Sequence, residues 1–358
     1  MSNSDPRPRE GVAAIPAYVP GRPPAPRPGV TSYKLSSNEN PYPPLPGVLE
    51  AVAGAAAAMN RYPDMGSVDL RTALAEKFGV GLEQVAVGTG SVAILYHLLQ
   101  AFCDPGDEVV LAWRSFEAYP IAISVAGATG VPVPVTADGR HDLPAMAAAI
   151  TDRTRVVLLC TPNNPTGPAL RRTEVDEFLA AVPSNVLVVV DEAYLEFVRV
   201  ADPVDGIGLA TTRSNVVAMR TFAKAYGLAG LRVGYLVGPA AVAEAVRACS
   251  LPFGVSSVAQ AAAIASLVAE PELLRRVEAL VQERDRVVAA LTAAGWTLPE
   301  AQGNFVWFEL GDRTADFVAA AEEAGIAVRP FAGEGVRVSI GEPAANDVLL
   351  AVAASLRI

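Results

Sequence analysis

The chain has 358 residues and 51% apolar content, ample for two cored domains on the usual scale of ~150 residues each. Its 38 acidic residues against 28 Lys plus Arg leave a net charge of −10, so no basic field draws it to nucleic acid or to an anionic membrane surface. Dispersed Cys103, Cys160 and Cys249 fit a reducing cytoplasmic setting, and neither His97 nor His141 has a partner at metal-ligand spacing, so no metal is expected.

Residues 1–30 hold eight prolines, several charges and no apolar signal core, which predicts an extended N-terminal arm. From about residue 67, helix-like stretches alternate with Val/Ile/Leu runs at 84–88, 108–112, 130–135, 155–161, 185–191, 215–220 and 233–237. Strand candidates alternating with helices predict an α/β fold whose mainly parallel sheet is covered by helices on both faces. Past about residue 245 the composition turns to long Ala/Val/Leu/Glu/Arg helical stretches, followed by strand-like runs at 304–308 and 335–340. This predicts a large domain at 31–245 and a smaller C-terminal α+β domain at 246–358. The most apolar helical stretch, 258–269, contains Gln260 and Ser266 and falls short of the ~20 residues that span a bilayer.

In such sheets ligands bind beyond the carboxyl ends of the strands. Thr89-Gly90-Ser91 follows the first run, Arg114-Ser115-Phe116 the second and Pro162-Asn163-Asn164-Pro165-Thr166-Gly167 the fourth, while Asp191 closes the fifth and Lys224 follows the sixth. Gly90 and Ser91, ahead of a helix expected to begin near Val92, would present backbone N–H groups and a hydroxyl to phosphate at a positive helix end. Thr221 and Arg232 add a hydroxyl and a guanidinium suited to the same oxygens.

The chain has 25 arginines and three lysines, and Lys224 is one of the three. A guanidinium stays protonated, whereas a lysine can become a neutral amine and attack a carbonyl. Ordinary lysine is neutral in roughly one molecule in two thousand at pH 7, and nearby cations or desolvation would raise that share. Asp191, at the end of an apolar run, needs a compensating cation, such as a protonated pyridine nitrogen, or hydrogen bonds; a helix-capping role is the alternative. Tyr194 and Asn164 could donate to the phenolate oxygen of the same ring, although Asn163 to Gly167 would make a tight turn in any protein.

Asn164-Pro165-Thr166-Gly167, Asp191-Glu192-Ala193-Tyr194 and Lys224 with Arg232 eight residues later resemble the fold-type I pyridoxal-phosphate aminotransferases. Leu35-Ser36-Ser37-Asn38-Glu39-Asn40-Pro41, Arg61-Tyr62-Pro63-Asp64 and Ala229-Gly230-Leu231-Arg232 resemble the histidinol-phosphate aminotransferase subgroup, from about Tyr18 to the C-terminus. The resemblance implies pyridoxal 5′-phosphate as cofactor, held by Gly90, Ser91, Val92, Asn164, Asp191, Tyr194, Thr221 and Arg232, with Phe116 stacked on its ring and Lys224 bonded to its aldehyde. It also implies a homodimer in which Tyr62 reaches the neighbour's cofactor phosphate. Arg337 would clamp the substrate carboxylate, with Asn38, Asn164, Phe253 and Tyr18 completing the substrate set. Without the resemblance, Arg337 reads equally as a surface residue on a strand and Tyr18 as packing.

Two departures bear on substrate. Ala223 stands where the subgroup often has Ser, and Phe116 and Phe253 stand where histidinol-phosphate enzymes commonly have Tyr. Loss of two phenolic hydroxyls suits an apolar ring better than a phosphate tail. Trp113-Arg114-Ser115-Phe116-Glu117-Ala118-Tyr119-Pro120, with Pro252-Phe253-Gly254-Val255-Ser256-Ser257, looks most like the actinobacterial aromatic (phenylalanine) aminotransferases in that subgroup. The expected activity is therefore transfer of the amino group of phenylalanine, tyrosine or tryptophan to a 2-oxo acid, 2-oxoglutarate, by a ping-pong mechanism. Histidinol-phosphate transamination is the near alternative and decarboxylation a distant one. A non-catalytic cofactor-binding regulator would be expected to carry a DNA-binding domain ahead of this fold, where the sequence has only the proline-rich arm.

Overall fold

The computed structural model describes residues 6–15, 21, 23, 24 and 27–356; Tyr18 lies outside the described residues. In chain order the strands are β1 (Tyr33–Lys34), β2 (Val85–Gly88), β3 (Glu108–Trp113), β4 (Thr129–Pro134), β5 (Thr154–Cys160), β6 (Leu187–Asp191), β7 (Val216–Thr221), β8 (Gly234–Val237), β9 (Phe305–Glu309), β10 (Ile326–Ala327), β11 (Arg329–Phe331) and β12 (Gly335–Ser339). The seven runs expected as strands are β2 to β8, and they form one sheet of order β2-β8-β7-β6-β5-β3-β4. Only β8 runs antiparallel to its neighbours.

β5 and β6 are near-continuous apolar runs because both sheet faces are covered. Their period of two sends Val156, Leu158, Cys160, Leu187 and Val189 into one apolar cluster and Val157, Leu159, Val188 and Val190 into the other. Helices Ser91–Phe102, Ala118–Ala126 and Ala240–Ala248 cover the first face; Leu143–Ala148, Arg172–Ala181 and Gly206–Thr212 cover the second. The same alternation puts Asp191, two residues after Val189, on the first face, where Tyr119 is buried.

Strand order also builds a corner. Because β8 returns between β2 and β7, Gly234 lies in register with Gly88 on one side and Thr221 on the other. The exits of β2 and β7 and the entry to β8 thus meet at one sheet edge. A Cβ on Gly234 would sit 2.5 Å from Ser91 N and 3.0 Å from Arg220 O, so this approach of backbones requires glycine.

Beyond the large sheet, β11-β12-β9 form an antiparallel sheet beside the long helix Glu270–Ala293, and β1 pairs in parallel with β10. One apolar cluster contains Leu35, Leu45 and Leu74 together with Leu273, Phe305 and Val338, so it is continuous across the division expected near residue 245. Within the arm expected to be extended, Glu10–Ala13 form a helical turn, in a proline-free window between Pro8 and Pro16, and Arg9 Nη2 donates to Val125 O at 2.6 Å. Among the described residues no helix is long and apolar enough to cross a membrane.

Gly234→Ala is expected to lower stability by on the order of 2 kcal/mol through overpacking at the corner. An earlier urea midpoint would show it, and an unchanged midpoint would mean that the β2–β8–β7 corner has room the geometry denies.

Candidate active site

At the corner, Gly90 (φ 84°, ψ 161°) precedes the helix Ser91–Phe102 in a positive-φ conformation that favours glycine, and a Cβ there would lie 2.8 Å from Arg232 Nη2. The guanidinium therefore lies over the helix N-terminus. Arg232 is left-handed (φ 55°) and donates from Nη1 to Ala229 O at 3.1 Å. Thr221 Oγ1, on the last residue of β7, accepts from Ala223 N at 3.1 Å. Oriented amides, two hydroxyls and a guanidinium make this corner a donor set for a phosphate dianion.

The corner opens into a cavity of about 220 Å³ whose walls include Ser91, Val92, Phe116, Asn164, Asp191, Tyr194, Thr221, Lys224, Arg232 and Arg337. Arg337 Nη1 donates to Asn164 Oδ1 at 2.6 Å and its Nη2 to Ser36 O at 2.8 Å. Accepting on Oδ1 points the Asn164 amide nitrogen elsewhere, as a donor. Tyr194 OH accepts from Asn38 Nδ2 at 3.0 Å, which leaves its own hydrogen to donate. Lys224 Nζ donates to Ser37 O at 3.1 Å and stands 5.6 Å from the centre of the Tyr194 ring.

Two pKa displacements face each other across this space. Burial raises the Asp191 carboxyl from 3.8 to about 6, against hydrogen bonds from Tyr119 OH (2.8 Å) and Ala193 N (3.3 Å) that favour the anion. Burial, with Arg337 and Arg232 nearby, lowers the Lys224 ammonium from 10.5 to about 7, while Glu39 acts the other way. Between about pH 7 and 10.5 the folded protein binds fewer protons at Lys224 than the unfolded chain, so its contribution to stability rises with pH there. Asp191 has the opposite sign: its contribution falls as pH rises from 3.8 through about 6.

Asn38, Tyr62 and Phe253, expected at the site, lie outside this chain's cavity lining. Asn38 is fully buried behind Tyr194, tied also to Ser339 through its backbone N (2.7 Å) and Oδ1 (2.9 Å). Tyr62 is 82% exposed and stacks on Phe253, with centroids 4.6 Å apart. The cavity in turn includes Ser36, Ser37, Glu117, Cys160, Arg329 and Phe331, for which no role is expected from sequence, and Tyr119 stands behind Asp191. Alternation along β12 could have pointed to the β11 residues once the two were paired, but nothing local pairs them. Among the described residues no group of His, Cys, Asp and Glu is placed to hold a metal ion.

The chain matches the family described as aminotransferase class I and II over residues 31–352. An aromatic amino acid aminotransferase of Streptomyces avermitilis is 58% identical over 357 residues, 100% of this chain and 99% of that protein. Another from Thermobifida fusca is 58% identical over 345 residues, 96% of each chain. Among solved structures, histidinol-phosphate aminotransferase from Sinorhizobium meliloti in complex with pyridoxal-5′-phosphate superposes with TM-score 0.87 at 28% identity, covering 99% of this chain and 100% of that one. Aspartate aminotransferase from Thermus thermophilus with maleate gives TM-score 0.79 at 26% identity over 92% of each chain. A family match over nearly the whole length, on a helix-covered and mainly parallel sheet with its cavity at the strand ends, means that the chain belongs to the class I and II aminotransferases and has their fold-type I architecture.

Proposed function

We propose that this aminotransferase moves the amino group of an aromatic L-amino acid to a 2-oxo acid, 2-oxoglutarate, in ping-pong order with pyridoxal 5′-phosphate as cofactor. The observation that carries the reading is the convergence of Lys224, Asp191 and Arg337 on one cavity beside a phosphate-type corner. The residues present fit the cofactor: the corner suits its phosphate, and Asp191 is a buried acid whose hydrogen-bond donors, Tyr119 and Ala193, are neutral. When bound, pyridoxal phosphate supplies an aldehyde to carry the amino group and an electron-withdrawing ring that stabilises negative charge at the substrate Cα.

The chain's own residues supply the rest. Ser91, the amides of Ser91 and Val92, Thr221 and Arg232 would hold the phosphate, and Phe116 would cover the ring. Asp191 would hold a proton on the ring nitrogen, since a cation there offsets the cost of its burial. Asn164 Nδ2 and Tyr194 OH would donate to the ring's phenolate oxygen. Lys224 Nζ would hold the aldehyde end and, once freed as an amine that burial inclines to be neutral, would carry the proton between the substrate Cα and the carbon that bore the aldehyde. Arg337 clamps the carboxylate common to donor and acceptor, so both use the same cavity in turn.

An aromatic substrate is supported by the names of the full-length relatives and by the Phe116 and Phe331 rings in the cavity wall. Arg329 in the same wall is the one observation favouring histidinol phosphate. Tyr62, with exposed Met59, Leu251 and Val268, presents apolar surface suited to a second copy, which supports a homodimer with Tyr62 reaching the neighbour's cofactor phosphate.

Purified protein should be yellow and turn over phenylalanine well above histidinol phosphate; the reverse ratio makes it a histidinol-phosphate enzyme. Lys224→Ala should lose at least about a thousandfold in kcat, in keeping with loss of both covalent attachment and acid–base transfer; retained turnover would sink the mechanism. In cofactor-free protein, labelling of Lys224 by an amine-specific reagent, mapped by mass spectrometry, should rise with a midpoint near pH 7. A midpoint near that of an ordinary lysine would show that burial does not tune it.

A further inference from the structure

In the antiparallel pair of β11 and β12, Arg329 lies directly opposite Arg337. Directly opposed residues share a face, and both arginines are buried and line the cavity. Arg337 donates to the neutral oxygens of Asn164 and Ser36. Arg329 donates from Nη2 to the carboxylate of Glu117 at 2.5 Å. Glu117 follows Phe116 and stands just before the helix Ala118–Ala126, so the pair joins the loop after β3 to the β11–β12 hairpin. The neighbouring Glu334 is taken by Arg114, which stacks between Trp113 and Phe331, and so does not compete for Arg329.

We infer that Glu117 is a specificity-determining residue: its carboxylate masks the Arg329 guanidinium, so the cavity admits uncharged side chains readily and anionic ones only by displacing Glu117. An aromatic side chain makes no demand on the mask. A second carboxylate, that of the 2-oxoglutarate acceptor included, or a phosphate must either displace Glu117 from Arg329 or stand beside Glu117 unpaired, and placing like charges together inside an enclosed site is costly, so the mask weakens binding of such groups without barring them. With Arg329 almost withdrawn from water, the pair is not of the exposed kind that solvent screens to little. The inference deepens the aromatic reading and rests on it for the orientation of the substrate, with the carboxylate on Arg337 and the side chain toward Arg329.

The test uses the holoenzyme and two unreactive probes, glutarate with two carboxylates and 3-phenylpropionate with one carboxylate and a phenyl ring, titrated calorimetrically. Glu117→Gln should raise the ratio of glutarate to 3-phenylpropionate affinity by about tenfold, the order expected when a freed guanidinium makes one charge-assisted hydrogen bond to the second carboxylate. Glu117→Ala should move it in the same direction, which covers failure of either variant to fold. Adding Arg329→Gln to either variant should return the ratio to the wild-type value or below. A ratio unmoved by the Glu117 variants, or one still raised when Arg329 is also replaced, overturns the mask. Failure of the aromatic reading would appear separately, as wild-type protein that does not turn over phenylalanine, whatever the probe ratio does.

Discussion

Asp191 is a carboxylate carried into the protein interior by a strand whose preceding four residues are all apolar and buried, and the site is arranged around that burial. A rise from 3.8 to about 6 corresponds to on the order of 3 kcal/mol acting against the charged form. Tyr119 and Ala193 supply neutral donors, which is less than a buried anion needs. On the other side of the cavity, Lys224 is biased toward its neutral form by the same enclosure. The site thus combines an acid short of a cation with an amine inclined to be uncharged, a pairing that a basic aromatic nitrogen and an aldehyde on one small molecule satisfy together.

Topology turns these separate choices into one cavity. Parallel strands β5, β6 and β7 deliver Asn164, Asp191 and Thr221 to one edge, and the antiparallel insertion of β8 closes the phosphate-type corner by bringing Arg232 over the amides that follow β2. The β11–β12 hairpin then lays Arg337 and Arg329 across that edge. On that roof Arg329 meets the carboxylate of Glu117, whereas Arg337 donates to the oxygens of Asn164 and Ser36, which is why a residue at the entrance to a helix on the opposite wall bears on substrate choice.

The central strands of the large sheet, β5 and β6 above all, were legible because burial on both faces writes them as near-continuous Val/Leu runs, whereas the edge strand β4 showed only as a Val/Pro alternation between turns. β1, β10 and β11 were not, since two or three residues carry no period, and β11 contains Pro330. Lys224, Asp191, Asn164 and Arg232 stood out by their place at the ends of those runs or beside a familiar motif. Tyr119 did not: its hydroxyl reaches Asp191 across 72 residues of sequence, and Glu117 meets Arg329 across 212. Such pairings depend on strand order and helix placement, which local patterns leave open. Tyr62 and Phe253 illustrate another limit, because they stack on each other outside the cavity of their own chain, and no local pattern places them there.

Thermal unfolding of Asp191→Asn against wild type at pH 8, with and without pyridoxal phosphate, probes the buried carboxylate most directly. If Asp191 is held at a cost until a cation arrives, the variant is the more stable protein without cofactor, and wild type gains far more from cofactor than the variant does. A variant that is the less stable of the two without cofactor, or that gains as much from it as wild type, would contradict the account.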